Sequence, residues 1–296
     1  MIYRVRHLTS YAYLEPVLVA HHLAHLTPRS FTGQTCGRSA LRVTPAPATF
    51  DDRGVDYFGN PVTIFTLQDP HRKLTVEAVS RVEVRPRALP PADQTPPWEW
   101  VVDWLNYARG PEGVEAVEFR FDSPFVRATD DLAAYAAPSF IPGRPVLEVL
   151  TDLTSRIFND FTYDPSATTV ATPLARVLAD RRGVCQDFAH LGIACLRAMG
   201  LSARYVSGYL LTRPPPGQEK LVGSDASHAW LSSYIPGFGW IDMDPTNDCL
   251  PGLEHITTAW GRDFGDVSPL RGVVLGGGDQ SLNVAVDVEP INPSAV

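Results

Sequence analysis

The chain has 296 residues, of which 44% are hydrophobic and 20% are charged, so it can bury a substantial core. Its formal net charge of −8 argues against a nucleic-acid binder, because neutralising phosphates requires clustered lysine and arginine. No apolar run approaches the roughly 20 residues that a membrane-spanning helix needs, so no membrane partner is expected. The N-terminus contains no apolar signal core and the four cysteines form no CxxC pair, so we expect reduced thiols and a cytoplasmic protein.

The first part of the chain, residues 1–87, is predicted to form an antiparallel β-sandwich-like domain. The clearest segment is KLTVEAVSRVEV, residues 73–84, in which apolar and polar residues alternate. This period of two is typical of a strand with one buried and one solvated face. A further pair of strands is indicated around Gly59-Asn60-Pro61, whose composition is that of a turn.

A proline-rich segment, residues 86–97, marks a predicted domain boundary, because its prolines remove backbone donors and stiffen the chain. Residues 88–144 are therefore expected to be a linker and helical connection, and residues 145–296 a second domain with C-terminal strands. In that second domain, apolar side chains fall on one helical face over 145–161. The other expected elements are a helix over 172–183 and strands over 201–211, 228–235, 240–244 and part of 272–291.

The stretch GVCQDFAHL places Cys185 at the start of a predicted helix. Apolar residues recur at helical spacing from Phe188 to Met199, and Cys195 belongs to that stripe, which predicts a core position for Cys195. A helix start stabilises an anion by at most about 2 kcal/mol, which takes a thiol pKa from about 8.5 to only about 7. A nucleophilic Cys185 therefore needs a neighbouring histidine that an acceptor orients; without one, a buried core thiol is the better interpretation.

Among eight histidines, His228 is the best partner for Cys185. His190 is on the same helix, about 140° around the axis from Cys185, and should point elsewhere. His228 opens a predicted strand. The length of the following PGFG turn determines whether Asp244 can be the acceptor that orients His228. With a three-residue loop or one bulge, Asp244 is the diagonal neighbour of His228, whereas a plain four-residue loop turns Asp244 to the opposite face.

Two segments, RRGVCQDFAHL and DASHAWLSSYIPGFGWIDMDPTND, resemble the bacterial transglutaminase-like family. The resemblance covers about residues 145–250, and residues 1–87 resemble the β-rich region that accompanies this core in bacterial members. It implies an α+β fold in which the N-terminal sandwich precedes a papain-like core, with helices packed on an antiparallel sheet.

The resemblance also implies residue roles. Cys185 would be the nucleophile, His228 the general base and acid, and Asp244 the residue that orients His228. The backbone N–H of Cys185 would contribute to an oxyanion hole. Tyr163, in FNDFTYDP, is the candidate second donor, although a packed aromatic ring is an equal alternative.

Three more residues are candidates for oxyanion binding or substrate positioning. Gln186 is an alternative oxyanion donor. Asp187 lies in the first turn of the helix, where it would serve the helix dipole or position a substrate amine. Trp230 would form a substrate wall or part of the core.

The expected activity is that of a thiol enzyme acting on a peptide or protein amide through a thioester, without cofactor or metal. Water would give peptidase or amidase chemistry and a primary amine would give transglutamination; hydrolysis is favoured because water is always present. The loop 212–226 is a candidate substrate-gating flap. Oligomeric state is left open.

The same sequence also suggests two alternatives, a metal-binding protein and a non-catalytic binding module. A zinc site of Cys185, His190 and His228 is disfavoured because no ligand pair has the short spacing of a structural site. His21 and His25 could hold a metal only if they lie on a helix. A non-catalytic binding module on the same core is disfavoured because the cysteine, histidine and aspartate are all present.

Overall fold

The computed structural model describes residues 1–212 and 226–291 and has the predicted α+β architecture. Its first five strands form an antiparallel sheet in the order β2-β5-β1-β4-β3. Their bounds are β1 (Ile2–Ala24), β2 (Gln34–Thr44), β3 (Thr49–Val55), β4 (Pro61–Leu67) and β5 (His71–Val84). The predicted alternation of residues 73–84 is confirmed, since every second side chain of β5 is buried: Leu74, Val76, Ala78, Ser80, Val82 and Val84.

Strand β1 is the central strand of this sheet. Its first half pairs with β5 and its second half pairs with β4, with a register irregularity between Ala12 and Val17. Apolar side chains of β1, β4 and β5 meet in one interior cluster, which includes Val17, Phe65 and Leu74. A single long strand therefore joins β5 and β4 within one sheet.

The last two strands, β12 (Leu270–Gly276) and β13 (Gln280–Pro290), pair with β1 rather than with the second domain. The return of 272–291 to a sheet is confirmed, but the predicted assignment of these strands to the 145–296 domain needs correction. The reason is that β5 and β4 cover only one edge of β1. Its other edge is covered by β13 along the first half and by β12 along the second.

The helices of the described chain follow β5 in sequence and precede β12. They are α1 (Trp98–Tyr107), α2 (Gly110–Glu118), α3 (Asp130–Ala136), α4 (Val146–Asp160), α5 (Leu174–Asp180), α6 (Cys185–Ala198) and α7 (Phe264–Val267). Segment 88–144, predicted as a linker and helical connection, supplies α1 to α3, whose residues Val101, Leu105 and Leu132 join the same core as α4 and α6. The predicted helix 172–183 is shorter because Arg181 adopts a left-handed conformation with φ 55°. No helix in these ranges is long and apolar enough to cross a membrane.

The second sheet has the strand order β10-β9-β8-β11, from β8 (Ala203–Leu210), β9 (Ala226–Ile235), β10 (Gly239–Met243) and β11 (His255–Gly261). Residues of α6 pack against it through a shared core that includes Leu191 and Leu231. Gln34 of the N-terminal region contacts this sheet at Thr257. The Gln34 side-chain amide donates to the carbonyl of Thr257 at 2.7 Å and accepts from the N–H of Thr257 at 2.8 Å. Two short strands of two residues each, β6 (Thr162–Tyr163) and β7 (Arg182–Gly183), pair in parallel. Strand β7 ends just before α6 begins.

Candidate active site

The start of α6 is fixed by Asp187. Its Oδ2 accepts a hydrogen bond from the N–H of Val184 at 2.8 Å and from Oγ1 of Thr168 at 2.6 Å. Gly183 makes room for this carboxylate, because a Cβ at Gly183 would lie 2.7 Å from Asp187 Oδ2. Asp187 therefore caps the helix at whose first position Cys185 stands, which gives a physical reason for the GVCQD pattern.

His228 and Asp244 meet because the hairpin between β9 and β10 closes with three residues. Gly239 pairs with Ile235, and Asp242 pairs with Ser232. The same register places Asp244 diagonal to His228, and His228 Nε2 lies 2.7 Å from Asp244 Oδ2. The condition predicted for this contact, a three-residue loop, is confirmed.

Asp244 is fully buried and accepts hydrogen bonds on both carboxylate oxygens. Oδ1 accepts from the N–H of Thr246 at 2.9 Å. Besides His228, Oδ2 accepts from Asn247 Nδ2 at 2.7 Å and from His255 Nε2 at 3.0 Å. Burial raises the pKa of Asp244, but the hydrogen bonds from His228 and His255 outweigh it and hold that pKa well below its usual range.

Sequence reasoning missed Asn247 and His255. Asn247 follows Asp244 by three residues in DPTND, so a turn that brings it back was a detectable signal. His255 opens β11 and reaches Asp244 only through the pairing of β11 with β8, which no local pattern reveals. Both residues contact Oδ2 of Asp244, the oxygen that also contacts His228.

His228 is linked to Cys185 as well as to Asp244. Burial lowers the pKa of His228, but hydrogen bonds with Asp244 and with Cys185 raise it to about 10. Because Nε2 is used by Asp244, Nδ1 is the ring nitrogen available to Cys185. The ring is therefore cationic at neutral pH and lies beside the half-buried Cys185.

Tyr163 lies next to this group. Its strand β6 pairs with β7, so that Tyr163 is opposite Gly183, and its ring packs edge-on against Phe188. Its side chain is 53% exposed, and both burial and the charge of Cys185 raise the pKa of Tyr163. Gln186 is partly buried in the first turn of α6. Both remain candidates for the second oxyanion donor.

Trp230 lies behind His228 and is fully buried. Its ring is tilted against His228, with centroids 6.0 Å apart, and packs edge-to-face on His255 at 5.2 Å. The indole crosses Gly208, where a Cβ would stand 2.5 Å from the ring carbon Cη2 of Trp230. Trp230 thus supports the histidines from inside the protein.

The structure keeps the other candidates apart from the site. His190 Nε2 accepts from the N–H of Phe264 at 3.1 Å, and burial lowers the pKa of His190 to about 4. Cys195 is buried, which raises its pKa to about 12 and supports its predicted core position. His21 lies on strand β1, so the helical spacing required for a metal site with His25 does not exist.

Metal-ligand geometry occurs once among the described residues. One ligand atom each from His228, Asp244 and His255 lies within 4.8 Å of the others. The separations of 2.7 and 3.0 Å between the nitrogens and the carboxylate are those of direct hydrogen bonds.

The candidate gating loop, 212–226, lies outside the described residues except for its two ends.

A cysteine at a helix start, linked to a histidine–aspartate pair on neighbouring strands, is the arrangement of a papain-like thiol protein. Residues 3–83 match the bacterial transglutaminase-like N-terminal region, and residues 136–245 match the transglutaminase-like superfamily. The chain belongs to this superfamily, as the resemblance of its motifs predicted.

Relatives cover nearly the whole chain. The uncharacterized protein Rv2569c of Mycobacterium tuberculosis is 44% identical over 99% of this chain and 94% of its own length. The uncharacterized protein ML0607 of Mycobacterium leprae is 35% identical over 96% and 97%. A protein-glutamine gamma-glutamyltransferase of Pseudomonas aeruginosa is 31% identical over 40% of this chain and 20% of its own length.

The fold has a close counterpart among solved structures. A candidate cysteine protease of Cytophaga hutchinsonii superposes with a TM-score of 0.79 at 22% identity, covering 100% of this chain and 92% of that one. The shared architecture therefore includes both the N-terminal sandwich and the core.

Proposed function

We propose that the protein is a thiol enzyme that opens amide bonds of peptides or proteins through Cys185, His228 and Asp244. The observation that supports this most directly is the position of His228, which hydrogen-bonds a buried carboxylate and an accessible cysteine at the same time. The reaction needs Cys185 as a free thiol, which fits the reducing cytoplasm that we propose as its compartment.

In the first step, the Cys185 thiolate attacks the amide carbon, and the carbonyl electron pair moves onto oxygen. The N–H of Cys185 at the start of α6 is the proposed first oxyanion donor, because the first N–H groups of a helix have no partner within it. His228, cationic at neutral pH, gives its proton to the amide nitrogen. The C–N bond then breaks, an amine leaves, and a thioester to Cys185 remains.

In the second step, an acceptor resolves the thioester. Neutral His228 takes a proton from the acceptor as it attacks, the C–S bond breaks, and the ion pair of thiolate and imidazolium is restored. Asp244 keeps its charge throughout and fixes the ring orientation. Water as acceptor gives a carboxylic acid, and a primary amine gives a new amide.

We favour water as the acceptor, because no separate amine subsite is evident around Cys185 in the described residues. The local similarity to a protein-glutamine gamma-glutamyltransferase makes glutamine side chains the first substrate, and amines the first alternative acceptors, to test.

Mass spectrometry of a trapped acyl-enzyme tests the proposal. The protein is mixed with a glutamine-containing peptide, quenched in acid and digested. We expect an adduct on the fragment carrying Cys185, free acid as product, and amide product only when methylamine is added and competes with water. Loss of ammonia from the peptide identifies glutamine side-chain chemistry, and shortened peptide identifies backbone cleavage.

Cys185→Ala should remove both adduct and turnover. Cys36→Ala is the matched control, since Cys36 is on β2, outside the site, and should leave both intact. Full turnover in Cys185→Ala would falsify the mechanism. Binding of peptide without any adduct in the native protein would instead indicate a non-catalytic binding module.

A further inference from the structure

The carboxylate of Asp244 accepts hydrogen bonds from two different parts of the fold. The N–H of Thr246 and the side chain of Asn247 belong to the turn that follows Asp244, so they fix the carboxylate only within that turn. His255 instead opens β11, which β8 separates from β9 in the sheet order. Apart from His228 itself, His255 is therefore the described donor that fixes this carboxylate relative to the rest of the sheet.

The direction of the bond between His255 and Asp244 follows from the charge of the carboxylate. The pKa of Asp244 is held well below its usual range, so the group is ionised at neutral pH and can only accept hydrogen bonds. Nε2 of His255, at 3.0 Å from Oδ2, must then carry its hydrogen, whether the ring is neutral or cationic. The ring of His255 is 9% exposed and packs edge-to-face on Trp230, with centroids 5.2 Å apart, which restricts its movement away from Asp244.

The N-terminal sheet, formed by β1 to β5 with β12 and β13, holds the segment that carries His255 on both sides. Two residues before His255, the carbonyl of Leu253 accepts a hydrogen bond from the hydroxyl of Tyr3, on β1, at 2.9 Å. Two residues after His255, Thr257 exchanges hydrogen bonds with the side chain of Gln34, on β2, at 2.7 and 2.8 Å. The backbone on either side of His255 is thus bonded to the other domain.

An apolar cluster completes this attachment. Ile256, which follows His255, is fully buried and belongs to a cluster built mainly by the N-terminal sheet. Its members on β1, β5 and β13 are Tyr3, Val5, Val82, Val84, Val286 and Val288. Because protein interiors are close-packed, a displacement of this cluster is transmitted to the start of β11.

We propose that His255 is a positioning residue of the candidate active site, and that the N-terminal sheet holds it in place through Tyr3 and Gln34. By donating to Oδ2, His255 keeps the carboxylate of Asp244 where it orients the ring of His228. The N-terminal sheet thereby supports the reaction through β11. The positioning role rests on the proposed function, whereas the attachment of His255 to the N-terminal sheet does not.

Two substitutions of His255 that differ by one methylene test the positioning role. The amide nitrogen of His255→Gln reaches as far as Nε2, whereas that of His255→Asn reaches only as far as Nδ1 and cannot donate to Asp244. The readout is the ratio of the rates at which iodoacetamide alkylates Cys185 and glutathione at pH 6.5. We expect His255→Asn to lower this ratio at least about fivefold and His255→Gln to keep at least about half of it.

A positioning role and a merely structural role differ in this comparison. Both variants place an uncharged amide at the same buried position, so a structural role predicts that the ratio falls equally in both or in neither. Either of these results overturns the positioning role. If His255→Asn does not fold, His255→Gln decides: a retained ratio supports the proposal, and a folded variant that has lost most of the native ratio overturns it.

Tyr3→Phe tests the attachment to the N-terminal sheet, because it removes the hydroxyl that bonds Leu253 and keeps the ring. Tyr13→Phe is the matched control, since Tyr13 lies on the same strand but belongs to a different apolar cluster. The ring signal of His255 in ¹H–¹³C NMR, assigned as the one missing from His255→Gln, should shift in Tyr3→Phe and not in Tyr13→Phe. Tyr3→Phe should also lower the alkylation ratio at least about twofold.

Each part of the proposal can fail separately. An unshifted His255 signal in Tyr3→Phe, or an equal shift in Tyr13→Phe, overturns the attachment. A shifted signal with an unchanged alkylation ratio overturns the link from the N-terminal sheet to the site. A native Cys185 that reacts no faster than glutathione overturns the proposed function instead, and the NMR comparison then still decides whether the N-terminal sheet holds His255.

Discussion

Nε2 of His228 lies 2.7 Å from Oδ2 of Asp244, and a three-residue turn between their strands makes this contact possible. One more residue in that turn would move Asp244 to the opposite face of the sheet, because side chains alternate along a strand. The length of a surface turn therefore decides whether the buried imidazole has a carboxylate partner.

The first prediction concerns thiol reactivity. At pH 6.5, iodoacetamide should alkylate Cys185 at least about tenfold faster than Cys36, because the cationic His228 lies beside Cys185 and thiols beside an imidazolium are the more reactive ones. Peptide mapping of the alkylated protein over time measures both rates. Asp244→Asn should bring the two rates together; equal rates in the native protein would contradict the ion pair.

The second prediction concerns stability and pH. The raised pKa of His228, about 10 against 6.5, contributes stability that is fully present below pH 6.5 and is lost as pH rises towards 10. The lowered pKa of Asp244 contributes stability that is present above its ordinary value of 3.8 and is lost as pH falls. The pair should therefore stabilise the fold most between about pH 4 and 6.5.

Asp244→Asn measures this contribution. At pH 6 it should lower the free energy of unfolding by about 3 kcal/mol, because it leaves a buried imidazolium without its counter-ion, and the loss should shrink at pH 10. Urea unfolding at both pH values gives the difference. Asp242→Asn, two residues earlier on β10 and beside Arg87, is the matched control and should change little at either pH. A loss that is the same at pH 6 and pH 10 is the result that counts against the linkage.

The third prediction concerns Gly208. Gly208→Ala should destabilise the fold by about 1–3 kcal/mol, because the added Cβ would overlap the Ile256 carbonyl and the Trp230 ring. Gly252→Ala, where the added Cβ meets open space, is the control. Thermal unfolding compares the two variants, and equal melting temperatures would show that the sheet absorbs the methyl group without cost.

The fourth prediction concerns the contact between the sandwich and the second sheet. Gln34→Ala should cost about 2 kcal/mol or more, since it leaves the N–H and the carbonyl of Thr257 without their partner. Gln34→Glu keeps the acceptor and loses the donor, so it separates the two bonds. Urea unfolding and the rate of alkylation of Cys185 measure stability and site geometry in the same samples; a neutral Gln34→Ala would mean that the contact contributes little.

Local patterns predicted the secondary structure of the site well. The alternation over 73–84, the apolar stripe of 145–161 and the helix start at Cys185 are each determined by residues close in sequence. The contact between His228 and Asp244 could be predicted only on the condition that the turn between β9 and β10 has three residues or a bulge. Either turn length was compatible with PGFG, so the tertiary structure had to decide.

Long-range pairing explains what local patterns could not predict. His255 reaches Asp244 through the register of β11 on β8, and the bonds from Tyr3 and Gln34 that hold the start of β11 exist only where two domains meet. The same limit applies to β12 and β13, whose sequences show that they are strands but not which strand they join. The composition of the proline-rich segment 86–97 predicts a boundary, yet the helices after it belong to the same core as α6.

Pairing of β12 and β13 with β1 also has a consequence for synthesis on the ribosome. Strand β1 emerges before the strands that cover its second edge, which follow the seven described helices. During that interval β1 presents unpaired N–H and C=O groups, which invite pairing with other nascent chains. Completion of the first sheet therefore depends on segments translated long after β1, and truncations before Leu270 should aggregate even though every residue of the candidate active site is present.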